Sequence, residues 1–333
     1  MFHSLSKRVF SGIRATGRLH LGNYLGAVKG MLALQDSKEY ETLFSVVDLH
    51  TMTTPFNKKT LAATTNEVVL DYLASGLDPT KSMILLQSDV ADLHTQLMFY
   101  FSTVVSIARM QHLPTYKDKI KQHPKHNSMA LLNYPVLMAA DILIYKASKV
   151  PVGIDQESHL EIAREVARKM NTMYDLDFPE PTRFATKGEY VPSLTGEGKM
   201  SKSVEGSSIN LTDDIDEIKH KLASAPTDSG QGDKVPAEGG VANLLTFVEL
   251  FQGEAKKKEY EKQYTGTGIR YGALKTELAE AIYENLKPIQ EKRKEFENDP
   301  KRVKDILDEG SQKARIIASK TIEEVKSAMG LSN

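Results

Sequence analysis

The sequence predicts an α/β fold, a parallel, doubly wound sheet followed by a helical C-terminal domain, on three observations. Short apolar runs at Val9 to Ile13, Phe44 to Asp48 and Met83 to Gln87 read as buried strands. A helical pattern from Lys58 to Ser75 separates the last two, so the opening reads βαβαβ, and right-handed crossovers place helices on the faces of a parallel sheet. From Asp213 onward the pattern is helical almost without interruption and holds no strand-like run. At 333 residues the chain suffices for one large domain and a smaller one, or for two of ordinary size.

Taken in order, the first strand runs into T-G-R-L-H-L-G-N-Y, Thr16 to Tyr24. That stretch is too rich in Gly to continue the strand and too apolar for a solvated tail. It therefore turns the chain at a strand end, where α/β sheets bind ligands. Leu97 to Arg109 and Met129 to Tyr145 read as helices, with the polar connector K-D-K-I-K-Q-H-P-K-H-N between them, together an insertion in the sheet domain. After Val150-Pro-Val-Gly153 comes an amphipathic helix from about Gln156 to Met173. A Pro- and Gly-containing loop region follows, Phe178 to Ser208, which is expected to be mobile, and Asp228 to Gly240 interrupts the helical part.

Composition narrows the function classes. Forty-three Lys and Arg against 44 Asp and Glu leave a net charge of -1, so no global basic field points to nucleic acid and any basic footprint is local. The absence of Cys excludes disulfides, thiolate metal sites and a thiol nucleophile, and suits a reducing compartment. No apolar run is long enough to span a membrane, and the start M-F-H-S-L-S-K-R lacks a secretion signal's apolar stretch. The first 35 residues hold no acid, which faintly resembles a transit peptide, yet they contain the opening motif; the expectation is a soluble, cytoplasmic protein. Neither a Walker A motif nor G-x-G-x-x-G is present, which removes the usual kinase, ATPase and dinucleotide readings.

Two stretches have the chemistry to handle phosphate. At the start of a helix beginning near Gly22, H-L-G-N offers backbone N–H groups, the helix dipole and a His donor for a developing oxyanion. A Gly-rich turn with a solvent-facing His explains the same residues equally well. G-K-M-S-K-S, Gly198 to Ser203, places two Lys on a Gly-tethered loop able to close over a triphosphate, and a solvated basic loop is its plainer reading.

Taken together, T-G-R-L-H-L-G-N and, about 180 residues later, K-M-S-K-S resemble the two signature motifs of the class I aminoacyl-tRNA synthetases. S-G-I-R-A-T-G-R-L-H-L-G-N-Y-L-G-A, Y-P-V-L-M-A-A-D-I-L-I-Y, V-P-V-G-I-D-Q-E-S-H-L-E and the tail A-R-I-I-A-S-K-T are similar to the tryptophanyl-tRNA synthetase family, over nearly the whole chain. The resemblance implies a Rossmann-like catalytic domain at 1–211, with a dimerising insertion at about 92–150, and a helical anticodon-binding domain at 212–333. It implies a homodimer that activates L-tryptophan with Mg-bound ATP and transfers it to tRNA(Trp). No DNA, membrane or dedicated metal site enters that scheme.

By the same resemblance Arg14, Ala15, Thr16, Gly22 and Asn23 contact ATP, and His20 steadies the α-phosphate during attack. Lys199, Met200, Ser201, Lys202 and Ser203 match a mobile loop whose two Lys grip pyrophosphate more tightly in the transition state than before it. Gly153, Ile154 and Asp155 fall on the ribose-binding stretch, and Val191 falls against adenine. Asp155 reads as well as an N-cap on the helix that follows. Lys119 also resembles a phosphate contact, although a solvated Lys is the better reading there.

Amino-acid choice rests on Asp141. On a helix it shares a face with Tyr134 and Met138, so a carboxylate looks out from an aromatic and thioether wall suited to a flat ring with one N–H. A buried carboxylate is costly unless paired, so the alternative is a Lys or Arg partner elsewhere. Phe10, Gly12, His50, Val150, Val152 and Gln156 complete the pocket by resemblance, with Gln156 and Tyr134 taking the ammonium. His50 reads equally as an ordinary strand-end histidine. Two departures stand out: the family more often has S-G-I-Q-P where this chain has S-G-I-R-A, and Ile154 replaces a commonly acidic residue. Tyrosyl-tRNA synthetases share fold and motifs and are the nearest rival. A small-molecule nucleotidyltransferase or a non-catalytic RNA-binding relative fits less well.

Overall fold

The computed structural model describes residues 7–185, 190–202 and 204–331. Its chain forms two compact units. One comprises the segment ending at Gly17, Lys29–Ala185 and the segment from Asp299; the other comprises Arg18–Val28 and 190–298.

The first unit is built on a five-stranded parallel sheet: β1 Arg8–Ile13, β2 Glu41–Val46, β3 Ser82–Leu86, β4 Ala147–Val150 and β5 Thr182–Arg183, in the order β3-β2-β1-β4-β5. The three strands read from the sequence are present, each within a few residues of its expected bounds. Their buried residues form a near-continuous apolar row because crossover helices cover the sheet. The order winds outward from β1 to β2 and β3, then restarts beside β1 with β4. The junction of β1 and β4 is thus the switch point at whose carboxyl ends ligands bind in such sheets. Ser11 Oγ ties that junction by donating to the Pro151 carbonyl at 2.9 Å. Helices Ala91–Ser102, Met129–Leu143 and Glu157–Tyr174 pack their apolar faces with Phe10, Leu43 and Leu85 in one core.

Two expectations change here. Leu97 to Arg109 is not one helix: Ala91–Ser102 ends, and a short helix Ile107–Gln111 restarts behind Ser106, whose hydroxyl caps Arg109 N–H at 3.2 Å. The polar connector is mostly helical, Pro114–Gln122 with Pro at its first turn, followed by a 3-10 turn Pro124–His126. Only Tyr116 on that helix is buried, so hydrophobic periodicity carried almost no signal.

The last helix, Pro300–Ala328, returns to the sheet and lies along the edge strand β3. Gly310 makes the approach possible: a Cβ there would stand 2.0 Å from the Ile84 carbonyl oxygen. Ser311 Oγ donates to Asp89 Oδ2 at 3.0 Å, and Arg315 grips both Asp92 oxygens at 2.7 and 2.8 Å and the Asp89 carbonyl at 2.6 Å. Covering an edge strand in this way blocks its unpaired backbone groups.

The second unit is helical, as read: Ile215–Ala223, Gly240–Gln252, Glu254–Tyr264 and Tyr271–Glu297. Asp214 starts the first of these with a reciprocal cap, accepting from Glu217 N–H at 2.8 Å while Glu217 accepts from Asp214 N–H at 2.9 Å. Arg18–Val28 is pinned into this unit by backbone bonds of 2.9 Å from Leu21 to Ile209 and from Leu211 to Leu19. The expected helix begins at Leu21 and passes after Asn23 into a π-helical stretch, Tyr24–Val28, a conformation that recurs at functional sites. Among the described residues no helix is long and apolar enough to cross a membrane.

Candidate active site

The carboxyl ends of β1, β2 and β3 and the helix Met129–Leu143 bring together the residues expected around the amino acid. Asp141 is buried, and among the described residues neither Lys nor Arg pairs with it as the alternative reading supposed. Instead His50 Nε2 meets Oδ2 at 2.8 Å, while Gln87 Nε2 and His94 Nδ1 meet Oδ1 at 2.8 and 2.6 Å. A carboxylate only accepts, so each of these groups donates. His94 Nε2 lies 2.8 Å from the Tyr145 hydroxyl. Burial works to raise the Asp141 pKa, but the hydrogen bonds and charge of His50 and His94 outweigh it and hold the carboxyl well below its usual range. His50 is therefore no idle strand-end residue. It sits in the helical turn Asp48–Thr51 just past β2.

Gln87 and His94 were not assigned from sequence. A signal existed for His94: it shares the buried face of its helix with Leu93, Leu97 and Phe101, and a histidine on an apolar stripe asks for a partner. His159 was missed in the same way. It lies one turn after Gln156 beside buried Leu160 and Ala163, and it joins Gln156 to Tyr134, with Nδ1 at 3.0 Å from Gln156 Oε1 and Nε2 at 2.8 Å from the Tyr134 hydroxyl. Tyr134, Met138 and Asp141 do share one helix, and Met138 and Tyr134 are half-buried. Phe10 and Val150 are core residues, Phe10 stacking on Tyr145 with centroids 5.4 Å apart. Val152 packs against the same core, half-buried. Gly12 has no room for a side chain: a Cβ would lie 2.5 Å from Val47 Cγ1.

Just past β1, Ala15 N–H donates to Thr51 Oγ1 at 3.0 Å, and Thr16 N–H to the Arg14 carbonyl at 2.8 Å. The Arg14 guanidinium donates to Thr54 Oγ1 at 2.7 Å, but its Nε is buried without an acceptor among the described residues. Burial lowers its pKa. Lys119 is half-buried rather than fully solvated, and burial, then the charge of Arg14, lowers its pKa as well. After β4, Gly153 caps a 3-10 turn Ile154–Gln156, and Ile154 is exposed. Asp155 is not the cap of the long helix; Gln156 holds that position, and Asp155 accepts from Gln156 Nε2 at 2.7 Å.

The second unit brings together the two stretches expected to handle phosphate. A Cβ on Gly22 would lie 2.8 and 2.9 Å from the His20 ring and 3.4 Å from Met200 Cβ, so His20 and the Lys199–Lys202 stretch flank one glycine. His20 begins the helical turn Leu21–Asn23, with the Asn23 side chain accepting its N–H at 3.3 Å. Its Nδ1 is buried with no partner among the described residues. Burial, then the charges of Lys202 and Lys199, lower its pKa to about 4, so the ring is neutral at physiological pH. Backbone bonds Met200 to Val191 and Ser193 to Gly198, both 2.9 Å, fold the Lys-bearing stretch back on 191–193. Val191 and Met200 are buried there, and Ser201 N–H donates to Ser207 Oγ at 3.0 Å. Ser203 lies outside the described residues.

The family described as tRNA synthetases class I (W and Y) matches residues 5–287. The tryptophan–tRNA ligase of Helicobacter pylori is 43% identical over 331 residues, 98% of this chain and 99% of its own. That of Porphyromonas gingivalis is 38% identical over 328 residues, 97% and 98% of the two chains. Among solved structures, tryptophanyl-tRNA synthetase from Mycoplasma pneumoniae superposes with a TM-score of 0.85 at 30% identity, covering 98% of both chains. The Campylobacter jejuni enzyme complexed with ADP and tryptophan does so with a TM-score of 0.83 at 33% identity, covering 97% of this chain and 100% of that one. The chain belongs to the tryptophanyl-tRNA synthetase family within class I.

Proposed function

We propose that this chain is a tryptophan–tRNA ligase: it joins L-tryptophan to ATP as tryptophanyl-adenylate, releasing diphosphate, and passes the aminoacyl group to the terminal ribose of tRNA(Trp). The observation that carries this reading is the meeting of His20 with Lys199 and Lys202 from segments about 180 residues apart. The tryptophan carboxylate attacks the α-phosphorus in line, with no covalent enzyme intermediate. Neutral His20 donates to the α-phosphate oxygens, while the two lysines stabilise the charge gathering on diphosphate. Mg2+ enters as part of the substrate, bound to the triphosphate.

In the same reading Arg14, Ala15, Thr16, Gly22 and Asn23 contact ATP, Gly153, Ile154 and Asp155 its ribose, Val191 its adenine, and Met200, Ser201 and Ser203 its phosphates. The indole N–H goes to Asp141, whose Oδ2 receives one protein donor where Oδ1 receives two. Since that carboxylate is already satisfied, rejecting phenylalanine forfeits one hydrogen bond rather than stranding a bare charge. Tyr134 and Gln156 take the ammonium. Arg14 places a fixed cation where the family more often has an amide; Arg14→Gln should change affinity for ATP or for inhibitors that mimic the amino acid, and no change in either would refute that role. The helical part from about 212 reads the anticodon, the insertion at about 92–150 forms a homodimer interface, and the enzyme works in the cytoplasm.

The test is exchange of labelled diphosphate into ATP with each amino acid in turn. Exchange with tryptophan supports the reading, exchange with tyrosine alone moves the chain to the tyrosyl branch, and none with either rejects it. Because the chain contains no Trp, binding of added tryptophan is also visible by its own fluorescence.

A further inference from the structure

His159 is buried on the inner face of the helix Glu157–Tyr174, and none of the roles above falls on it. Its ring nitrogens meet different partners: Nδ1 lies 3.0 Å from Gln156 Oε1, and Nε2 lies 2.8 Å from the Tyr134 hydroxyl and 3.0 Å from Thr115 Oγ1. The Gln156 amide sets the direction of these bonds. Its Nε2 donates to Asp155 Oδ2 at 2.7 Å, and a carboxylate only accepts, so the amide oxygen is the atom turned to the imidazole. An amide oxygen cannot donate. Nδ1 therefore carries the proton, and Nε2 keeps a lone pair. Burial, then the neighbouring His50, lower the His159 pKa to about 4, so the ring stays neutral at physiological pH and the lone pair persists. The shorter of its two contacts takes the Tyr134 hydroxyl proton.

A direction is thereby imposed on two groups that would otherwise face either way. With its proton committed, Tyr134 has only oxygen lone pairs to offer a ligand, and the amide oxygen of Gln156 is likewise an acceptor. An ammonium is all donors. We propose that His159 is a positioning residue for the amino-acid substrate: the relay Asp155–Gln156–His159–Tyr134 fixes Tyr134 and Gln156 as paired acceptors for its α-ammonium. This rests on the reading that the chain binds tryptophan, and adds the group that orients the acceptors.

The experiment is equilibrium binding of tryptophan and of indolepropionate, which keeps indole and carboxylate but lacks the ammonium, to the full chain and its variants. Wild-type binding of tryptophan tests the underlying reading separately; its absence rejects that reading and this proposal together. His159→Leu is expected to weaken tryptophan about tenfold or more, the size of a hydrogen bond to a charged group, and indolepropionate by less than about twofold. His159→Gln, which restores an acceptor near Nε2, recovers part of the loss. Equal weakening of both ligands, or undiminished tryptophan affinity in His159→Leu, overturns the proposal. Should His159→Leu fail to fold, Tyr134→Phe and its combination with His159→Gln decide: overlapping losses of tryptophan affinity support the relay, and fully additive ones overturn it.

Discussion

Replacing Gly310 by alanine sets two effects of opposite sign against each other. In a helix interior alanine is favoured over glycine by about 1 kcal/mol, so propensity alone makes Gly310→Ala stabilising. Packing demands the reverse. The new methyl group would fall 2.0 Å from the oxygen of Ile84, 2.9 Å from its carbonyl carbon and 3.0 Å from its nitrogen. Carbon contacts settle at about 3.5 Å, and here both partners are backbone, so the helix Pro300–Ala328 must withdraw from β3 by more than about 1 Å. Withdrawal loosens Ala314, Ala318, Ile322 and Val325 in the core and strains the bond from Ser311 to Asp89. Overpacking of this kind costs about 1–3 kcal/mol; taking the top of that range and subtracting the propensity gain leaves a net loss of about 2 kcal/mol. For a chain of 333 residues, with an unfolding entropy of about 2.1 cal/mol/K per residue, that lowers Tm by about 3 °C. Thermal unfolding followed by far-UV circular dichroism measures it. The control is Gly272→Ala, in a helix where a Cβ meets nothing within 4 Å and where stability should hold or rise slightly. A Gly310→Ala Tm at or above wild type would refute close approach as the reason for the glycine.

Gly22→Ala should displace the His20 ring, 2.8 Å from the added methyl, and slow adenylate formation about 100-fold with little change in Tm; full activity would show that ring placement is unimportant. His20 should titrate near 4 in the free chain and higher once a triphosphate offsets the two lysines, as read by NMR; a value near 6.5 would contradict its burial beside them. Because its folded pKa lies below the ordinary one, the stability it contributes is whole above 6.5 and declines as pH falls toward 4. Asp141→Asn should cost about 3 kcal/mol near neutral pH by breaking a buried, paired charge. The wild-type carboxyl, held below its usual range, contributes stability above that range and loses it as pH falls through the folded value, so the variant should show a flatter acid limb in urea midpoints. An unaltered limb would count against the triad of donors.

Local chemistry in the chain was legible where it had a period or a motif. Val9 to Ile13, Phe44 to Asp48 and Met83 to Gln87 announced strands because sheets covered on both faces need unbroken apolar runs. His20, Gly22, Lys199 and Lys202 stood out through the resemblance of their paired motifs, since each stretch alone reads as well as a Gly-rich turn or a solvated basic loop. What failed was pairing across distance. Asp141 was singled out, yet its partners His94 and Gln87 lie 47 and 54 residues away, and nothing local in Gln87 marks it as a donor. The helix Pro114–Gln122 was invisible for a different reason: it has almost no buried face, so its helicity rests on Pro114 and on long polar side chains rather than on amphipathicity. The π-helical stretch Tyr24–Val28 has no sequence pattern of its own.

The covering of β3 has a consequence for how the protein is made. Ribosomes deliver Leu86 long before Pro300, and at about 5–20 residues per second the interval is roughly ten to forty seconds. During that time one side of the sheet is bare, open to pairing with a neighbouring nascent chain. A message truncated anywhere before the final helix yields a polypeptide that never closes this flank. Incomplete products thus announce themselves by stickiness, offering chaperones and proteases a mark that the finished molecule lacks.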